Sequence, residues 1–119
     1  MKDKTEAKIQ SEISCWFNNN FCLKFHKPRY CIFSVPNDTT NKEETMRKLA
    51  TGLKAGASDL IVLFPKRAVF CEVKTPTGVQ SETQKDFQEQ VEKLGFEYIL
   101  VRSLDDFKIK INKYLFKNY

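Results

Sequence analysis

Apolar residues recur along this chain in two rhythms. Leu60 to Phe64 and Ala68 to Val73 are short runs rich in Val, Leu, Ile and Phe, bounded by turn formers, and they predict two β-strands joined at Pro65-Lys66. A tight turn there sets Phe64 opposite Arg67 and, counting back, Asp59 opposite Glu72, with Lys74 on the same face by alternation. Pro65 suits position i+1 of a type I turn better than the primed turns of two-residue hairpins. A slip by one would send the two acids to opposite faces.

Elsewhere the rhythm is helical. Ile9, Ile13 and Trp16/Phe17 predict a helix over residues 4–18, with Thr5 as its cap and the Asn18-Asn19-Asn20 run as its stop. Residues 21–27 read as a short strand or an extended connection. Tyr30 to Val35 is a clearer strand, ended by Pro36-Asn37-Asp38. A second helix is expected over 40–53, capped by Asn41 or Thr40, with Met46, Leu49 and Leu53 as its apolar stripe.

After the hairpin comes a turn, Thr75-Pro76-Thr77-Gly78. Ser81 and Gln84 then have capping-box spacing ahead of a helix striped by Phe87, Val91 and Leu94 and closed by Gly95. Phe96 to Arg102 is a strand that follows a helical crossover and so runs parallel to the strand of Glu72. Ser103 caps a last helix carrying Leu104, Phe107, Ile111 and Leu115. The order predicts an α/β fold with a mixed sheet of about four strands.

Composition narrows the partners. With 119 residues, 41% hydrophobic, the chain is expected to form one domain, residues 1–119, with a real core. A net charge of +5 favours acidic partners, nucleic acid first, unless it serves only solubility. Cys15, Cys22, Cys31 and Cys71 show no CxxC pair, which reads as reduced core cysteines of a cytoplasmic protein rather than a disulfide or zinc framework. One histidine, His26, leaves oxygen as the donor for any metal, hence Mg²⁺ or Mn²⁺. No signal peptide or membrane-spanning apolar run is visible.

The hairpin carries the candidate chemistry. Two carboxylates and an ammonium at the open end of an apolar hairpin are costly unless paired or set on a metal. Asp59 and Glu72 with Lys74 suit Mg²⁺ and an oriented water. Each has a plainer reading as well: Asp59 as a turn cap, Glu72 and Lys74 as an ion pair, Gln84 as a capping-box partner only. Arg47, Lys48 and Lys54 make the second helix basic, as a phosphate track or as a solvated face. Arg102, at a strand end, is either a phosphate contact or a surface arginine.

Gly56-Ala57-Ser58-Asp59 followed at hairpin distance by Glu72-Val73-Lys74 resembles the signature of PD-(D/E)xK nucleases. The turn to Gly78, then Ser81, Gln84 and Phe87, and Val101-Arg102-Ser103 make the chain similar to a VRR-NUC (virus-type replication-repair nuclease) domain. Ser58 departs from the proline that commonly precedes the aspartate. The resemblance implies a restriction-endonuclease-like αβββαβ core. It implies Asp59, Glu72, Lys74 and Gln84 as catalytic residues. Asp59, Glu72, the Val73 carbonyl and Glu6, with Glu12 as the alternative, are implied as Mg²⁺ (or Mn²⁺) ligands.

The activity implied is Mg²⁺-dependent DNA endonuclease action, and a homodimer cutting branched DNA such as a Holliday junction is the expected form. The alternatives are a less selective nickase or flap or linear-duplex nuclease, and a catalytically silent DNA-binding module. Small size, basic charge and this likeness suit a phage gene acting in a bacterial host's cytoplasm.

Overall fold

The chain is described here by a computed structural model covering residues 5–36 and 41–115. Its elements are α1 (Glu6–Phe21), β1 (Cys31–Ser34), α2 (Lys42–Ala50), β2 (Leu60–Phe64), β3 (Arg67–Val73), α3 (Glu82–Lys93), β4 (Glu97–Val101) and α4 (Leu104–Leu115). The four strands form one sheet in the order β1-β2-β3-β4, antiparallel except for the parallel β3–β4 pair. This is the mixed α/β, nuclease-like architecture that the sequence predicts.

The hairpin keeps the aligned register. Phe64 pairs with Arg67 and Leu60 with Cys71, so Asp59 and Glu72 meet at the next step. Lys66 takes φ 60 at the tip, a left-handed residue that closes the two-residue turn which Pro65 begins. Apolar side chains on both strands also fix the register, because a slip would turn Val62 and Val69, both fully buried, out of the core.

Two cores lie on the two faces of the sheet. On one face α1 and α4 bring Ile9, Ile13, Phe17, Phe107, Ile111 and Tyr114 against the strands. Phe17 is fully buried and meets the rings of Phe21, Tyr30, Phe64 and Phe107. On the other face α3 sets Phe87 and Val91 against Ala57, Phe70 and Tyr98. Glu72 and Lys74 alternate onto this second face, and Gln84 of α3 reaches Glu72 there.

Several expectations are corrected. The Asn18-Asn19-Asn20 run does not stop α1, because Asn18 and Asn20 donate their side-chain amides to the carbonyls of Ser14 and Trp16, one turn back. The helix therefore reaches Phe21. Residues 22–30 form a hydrogen-bonded loop and not a strand. Asn41 caps α2 by accepting from the Glu44 N–H at 2.7 Å; Thr40, Asn37 and Asp38 lie outside the described residues. The apolar stripe of α2 is not a core stripe, since no residue of that helix is buried and Met46 is 61% exposed. Leu94 sits at the end of α3 and is 74% exposed, so the buried stripe stops at Val91. Cys22 and Cys71 are buried, whereas Cys15 and Cys31 are exposed rather than core.

Candidate active site

The open end of the hairpin is a place where local structure converges on charge. Asp59 ends the loop entering β2, and its Oδ2 accepts the Val73 N–H at 2.7 Å. That bond ties the two strand ends together. Gly56 makes the approach feasible. It adopts φ +79, and a Cβ there would run into the Thr83 carbonyl in the first turn of α3. The loop before Asp59 is thus seated on the helix that carries Gln84. In sequence this glycine stands out only as the first residue of the Gly56-Ala57-Ser58-Asp59 motif, and a close approach across 27 residues leaves no local signal.

Glu72 is fully buried. Its Oε2 accepts from Gln84 Nε2 at 3.2 Å and lies 3.8 Å from Lys74 Nζ. Its Oε1 is also buried and has no hydrogen-bond partner among the described residues. Burial first, then a hydrogen bond and the charge of the adjacent Asp59 carboxyl, push the Glu72 pKa from an ordinary 4.5 up to about 8. Lys74 pulls it down and Glu6 adds to the rise. At neutral pH, with only protein around it, Glu72 is therefore mostly protonated. Cys71 lies behind the pair; burial and the charges of Asp59 and Glu72 raise its thiol pKa far enough to keep it neutral.

Gln84 fills both of the roles open to it. Its Oε1 accepts the Ser81 N–H at 2.8 Å while the Ser81 hydroxyl accepts the Gln84 N–H at 3.2 Å, a complete capping box. With its oxygen fixed on the backbone, its amide nitrogen points at Glu72. Lys74, 7% exposed, hydrogen-bonds through its N–H to the Val101 carbonyl at 2.9 Å.

Arg102 holds the turn after Lys74. Its Nη1 donates to the carbonyls of Thr75 at 2.7 Å and Gly78 at 2.6 Å. A Cβ at Gly78 would sit 3.0 Å from the Thr75 hydroxyl oxygen, a tight approach, and in ordinary contact with the Lys74 stem at 3.6 Å. The sequence points to Arg102 as a phosphate contact or a surface arginine; the structure places it as a clamp on the turn.

The remaining candidates divide by position. Glu6 is exposed in the first turn of α1, near enough for its charge to act on Glu72. Glu12 lies on another side of α1, in a groove of about 680 Å³ with Trp16, Pro76 and Leu104. Lys54 borders a groove beside Glu82 and Thr83 at the start of α3. Arg47 is exposed on α2, and Lys48 there pairs with Glu44 at 2.8 Å.

Among the described residues no three His, Cys, Asp or Glu side chains form a ready metal cluster. The donor chemistry nevertheless fits a hard divalent cation. Two carboxyls lie side by side, and one buried carboxyl oxygen lacks a donor among the described residues. Mg²⁺ needs few protein oxygens because it keeps several waters.

A mixed α/β sheet brings two acids, a lysine and a glutamine together at one end. The VRR-NUC domain family model matches residues 5–105, and the chain belongs to that family of nuclease-type domains. A solved structure described as a VRR_NUC domain protein superposes with a TM-score of 0.76 at 21% identity, covering 97% of this chain and 91% of that one. That likeness shows the fold. No curated protein matches the sequence. No helix among the described residues is long and apolar enough to cross a membrane.

Proposed function

We propose that the chain is a divalent-metal-dependent DNA endonuclease using Mg²⁺ or Mn²⁺, with Asp59, Glu72, Lys74 and Gln84 as its working residues. The observation that carries this reading is the buried Glu72 carboxyl beside that of Asp59, with its Oε1 lacking a donor among the described residues. A cation gives that oxygen a partner. Asp59, Glu72 and the Val73 carbonyl would hold the ion, with Glu6 completing the oxygen set from α1. Glu6 is favoured over Glu12 by its electrostatic effect on Glu72. Such an ion supplies positive charge at the phosphate and a more acidic bound water.

The chain's own groups do the rest. Lys74, held beside Glu72, orients the attacking water and offers its ammonium to the phosphate oxygen that gains charge. Water oxygen bonds to phosphorus, a P–O ester bond breaks, and the leaving oxygen departs with the nucleic-acid strand. Gln84, locked by its capping box, keeps Glu72 in one rotamer. Arg102 fixes the 75–78 turn and through it the Lys74 stem. Arg47, Lys48 and Lys54 sit where a basic helix would track phosphates beside α3, and the net charge of +5 supports an anionic substrate.

Two copies about a twofold axis would present two such centres, as paired cuts in a symmetric four-way (Holliday) junction require. A single copy suits flaps or linear duplex. The test is a panel of labelled substrates (four-way junction, 5′-flap, linear duplex, single strand) in Mg²⁺, Mn²⁺ or EDTA. Paired, symmetric incisions on the junction alone support the dimeric junction nuclease. Cutting of every duplex retains the chemistry and removes the junction preference. DNA binding with no metal-dependent cutting overturns the enzyme in favour of a binding module.

A further inference from the structure

The end of the sheet opposite the acids carries chemistry that the cutting centre does not use. Between Glu12 and Asp38 the sequence has no Asp or Glu, although the chain has 15 in 119 residues. Inside that stretch Lys24, Lys27 and Arg29 surround Phe25 and His26.

The structure folds residues 22–30 into a closed knuckle. The Leu23 N–H donates to His26 Nδ1 at 2.9 Å and the His26 N–H donates to the Leu23 carbonyl at 3.0 Å. At its base Arg29 Nε donates to the Cys22 carbonyl at 2.7 Å and the Tyr30 N–H to the Phe21 carbonyl at 2.9 Å. These bonds leave Phe25 72% exposed, its ring 4.5 Å from that of His26. Lys24, Lys27 and Arg29 are exposed around it. Because Cys31 pairs with Leu63, the knuckle lies at the hairpin-tip end, where Lys66 is exposed too. Glu97, an acid at that end on the far edge strand, is engaged by Arg67 and by the Tyr114 hydroxyl.

We propose that this knuckle is a second nucleic-acid contact, which stacks an unpaired base on Phe25 and seats the flanking phosphates on Lys24, Lys27 and Arg29. An exposed aromatic ring flanked along its loop by exposed cations matches a nucleotide in both shape and charge. One phenylalanine with a part-exposed Leu23 offers too little apolar area to anchor a membrane surface. Cys31, where the knuckle joins β1, pairs with Leu63, four residues along β2 from Asp59, so the base of the knuckle lies roughly 13 Å from the acids and its tip lies beyond that base. The stacked base is therefore not the nucleotide being cut but one on a single strand leaving the duplex. The inference rests on the DNA-nuclease reading and refines it toward forked or flapped substrates.

The test is binding of a labelled single strand of about 12 nucleotides and of the matching duplex, in EDTA at low salt. Phe25→Ala is expected to weaken single-strand binding about 10-fold, and more than duplex binding. Lys24→Ser/Lys27→Ser is expected to lower the salt slope by about 1.4. In Phe25→Trp, emission beyond that of the one natural tryptophan is quenched by the strand. Unchanged affinity in Phe25→Ala with no quenching in Phe25→Trp overturns the inference, as does quenching by anionic vesicles but not by the strand. Neither readout needs catalysis. A protein that cuts DNA without the quench keeps the nuclease and loses the knuckle, and the reverse result does the opposite.

Discussion

Glu72→Gln is expected to make the metal-free protein more stable at neutral and alkaline pH while removing the group on which metal binding depends. Glu72 is fully buried, and its pKa rises from 4.5 to about 8 on folding, chiefly by desolvation and then by Asp59. A carboxyl whose pKa is raised by folding favours the folded state most below pH 4.5. That contribution is lost as pH climbs through 8. At about 1.4 kcal/mol per pH unit, the interval from 4.5 to about 8 amounts to roughly 5 kcal/mol above pH 8 and roughly 3 kcal/mol at pH 7. Relaxation and water entry reduce such penalties, so about 2 kcal/mol is a conservative expectation at pH 8. For a chain of this length that is about 8 °C in Tm. The assay is urea and thermal unfolding of both proteins in EDTA from pH 5 to pH 9. The gap between them should widen steadily with pH and level off near 8, and Mg²⁺ should stabilise only the wild type. Parallel pH profiles would refute the reasoning, because they would mean that Glu72 carries no burial cost.

Four further outcomes follow from the same geometry. Since Glu72 is protonated at neutral pH, cation binding should release close to one proton per ion at pH 7, read by calorimetry in buffers of different ionisation enthalpy. Affinity for Mg²⁺ should also rise up to about tenfold per pH unit until pH reaches 8. Arg102→Lys should lower kcat about tenfold with a smaller change in KM, because one ammonium cannot reproduce the clamp on the Thr75 and Gly78 carbonyls; faster amide exchange in the 75–78 turn is the structural readout. Gly56→Ala should cost at least about 2 kcal/mol in urea unfolding, from the left-handed φ and the collision with the Thr83 carbonyl.

The hairpin is readable from sequence because its signal is local. Counting back from a two-residue turn at Pro65-Lys66 gives the acid pair, and the slip that Pro65 leaves open is closed by the observed pairing. The capping box of α3 is equally local, and the structure adds that one glutamine side chain serves the cap and the acid together. What the sequence hides is contact between distant segments. Gly56, Gly78 and Arg102 belong to the motifs that carry the family resemblance, but nothing local says that Gly56 packs on Thr83 or that Arg102 holds the 75–78 turn. The misread stretches share a cause as well. Asparagines that usually end a helix instead bond back to their own preceding turn. The apolar stripe of α2 has helical spacing but no partner surface among the described residues, and periodicity alone cannot distinguish the two cases.

The most direct test of the account is cleavage of one end-labelled DNA strand by the wild type in Mg²⁺, beside the same reaction in EDTA and beside Asp59→Ala and Lys74→Ala at matched folded concentration. The account predicts cutting only by the wild type and only with metal, with each variant slowed at least about 100-fold. Cutting that survives in EDTA, or in Asp59→Ala at the wild-type rate, would contradict it.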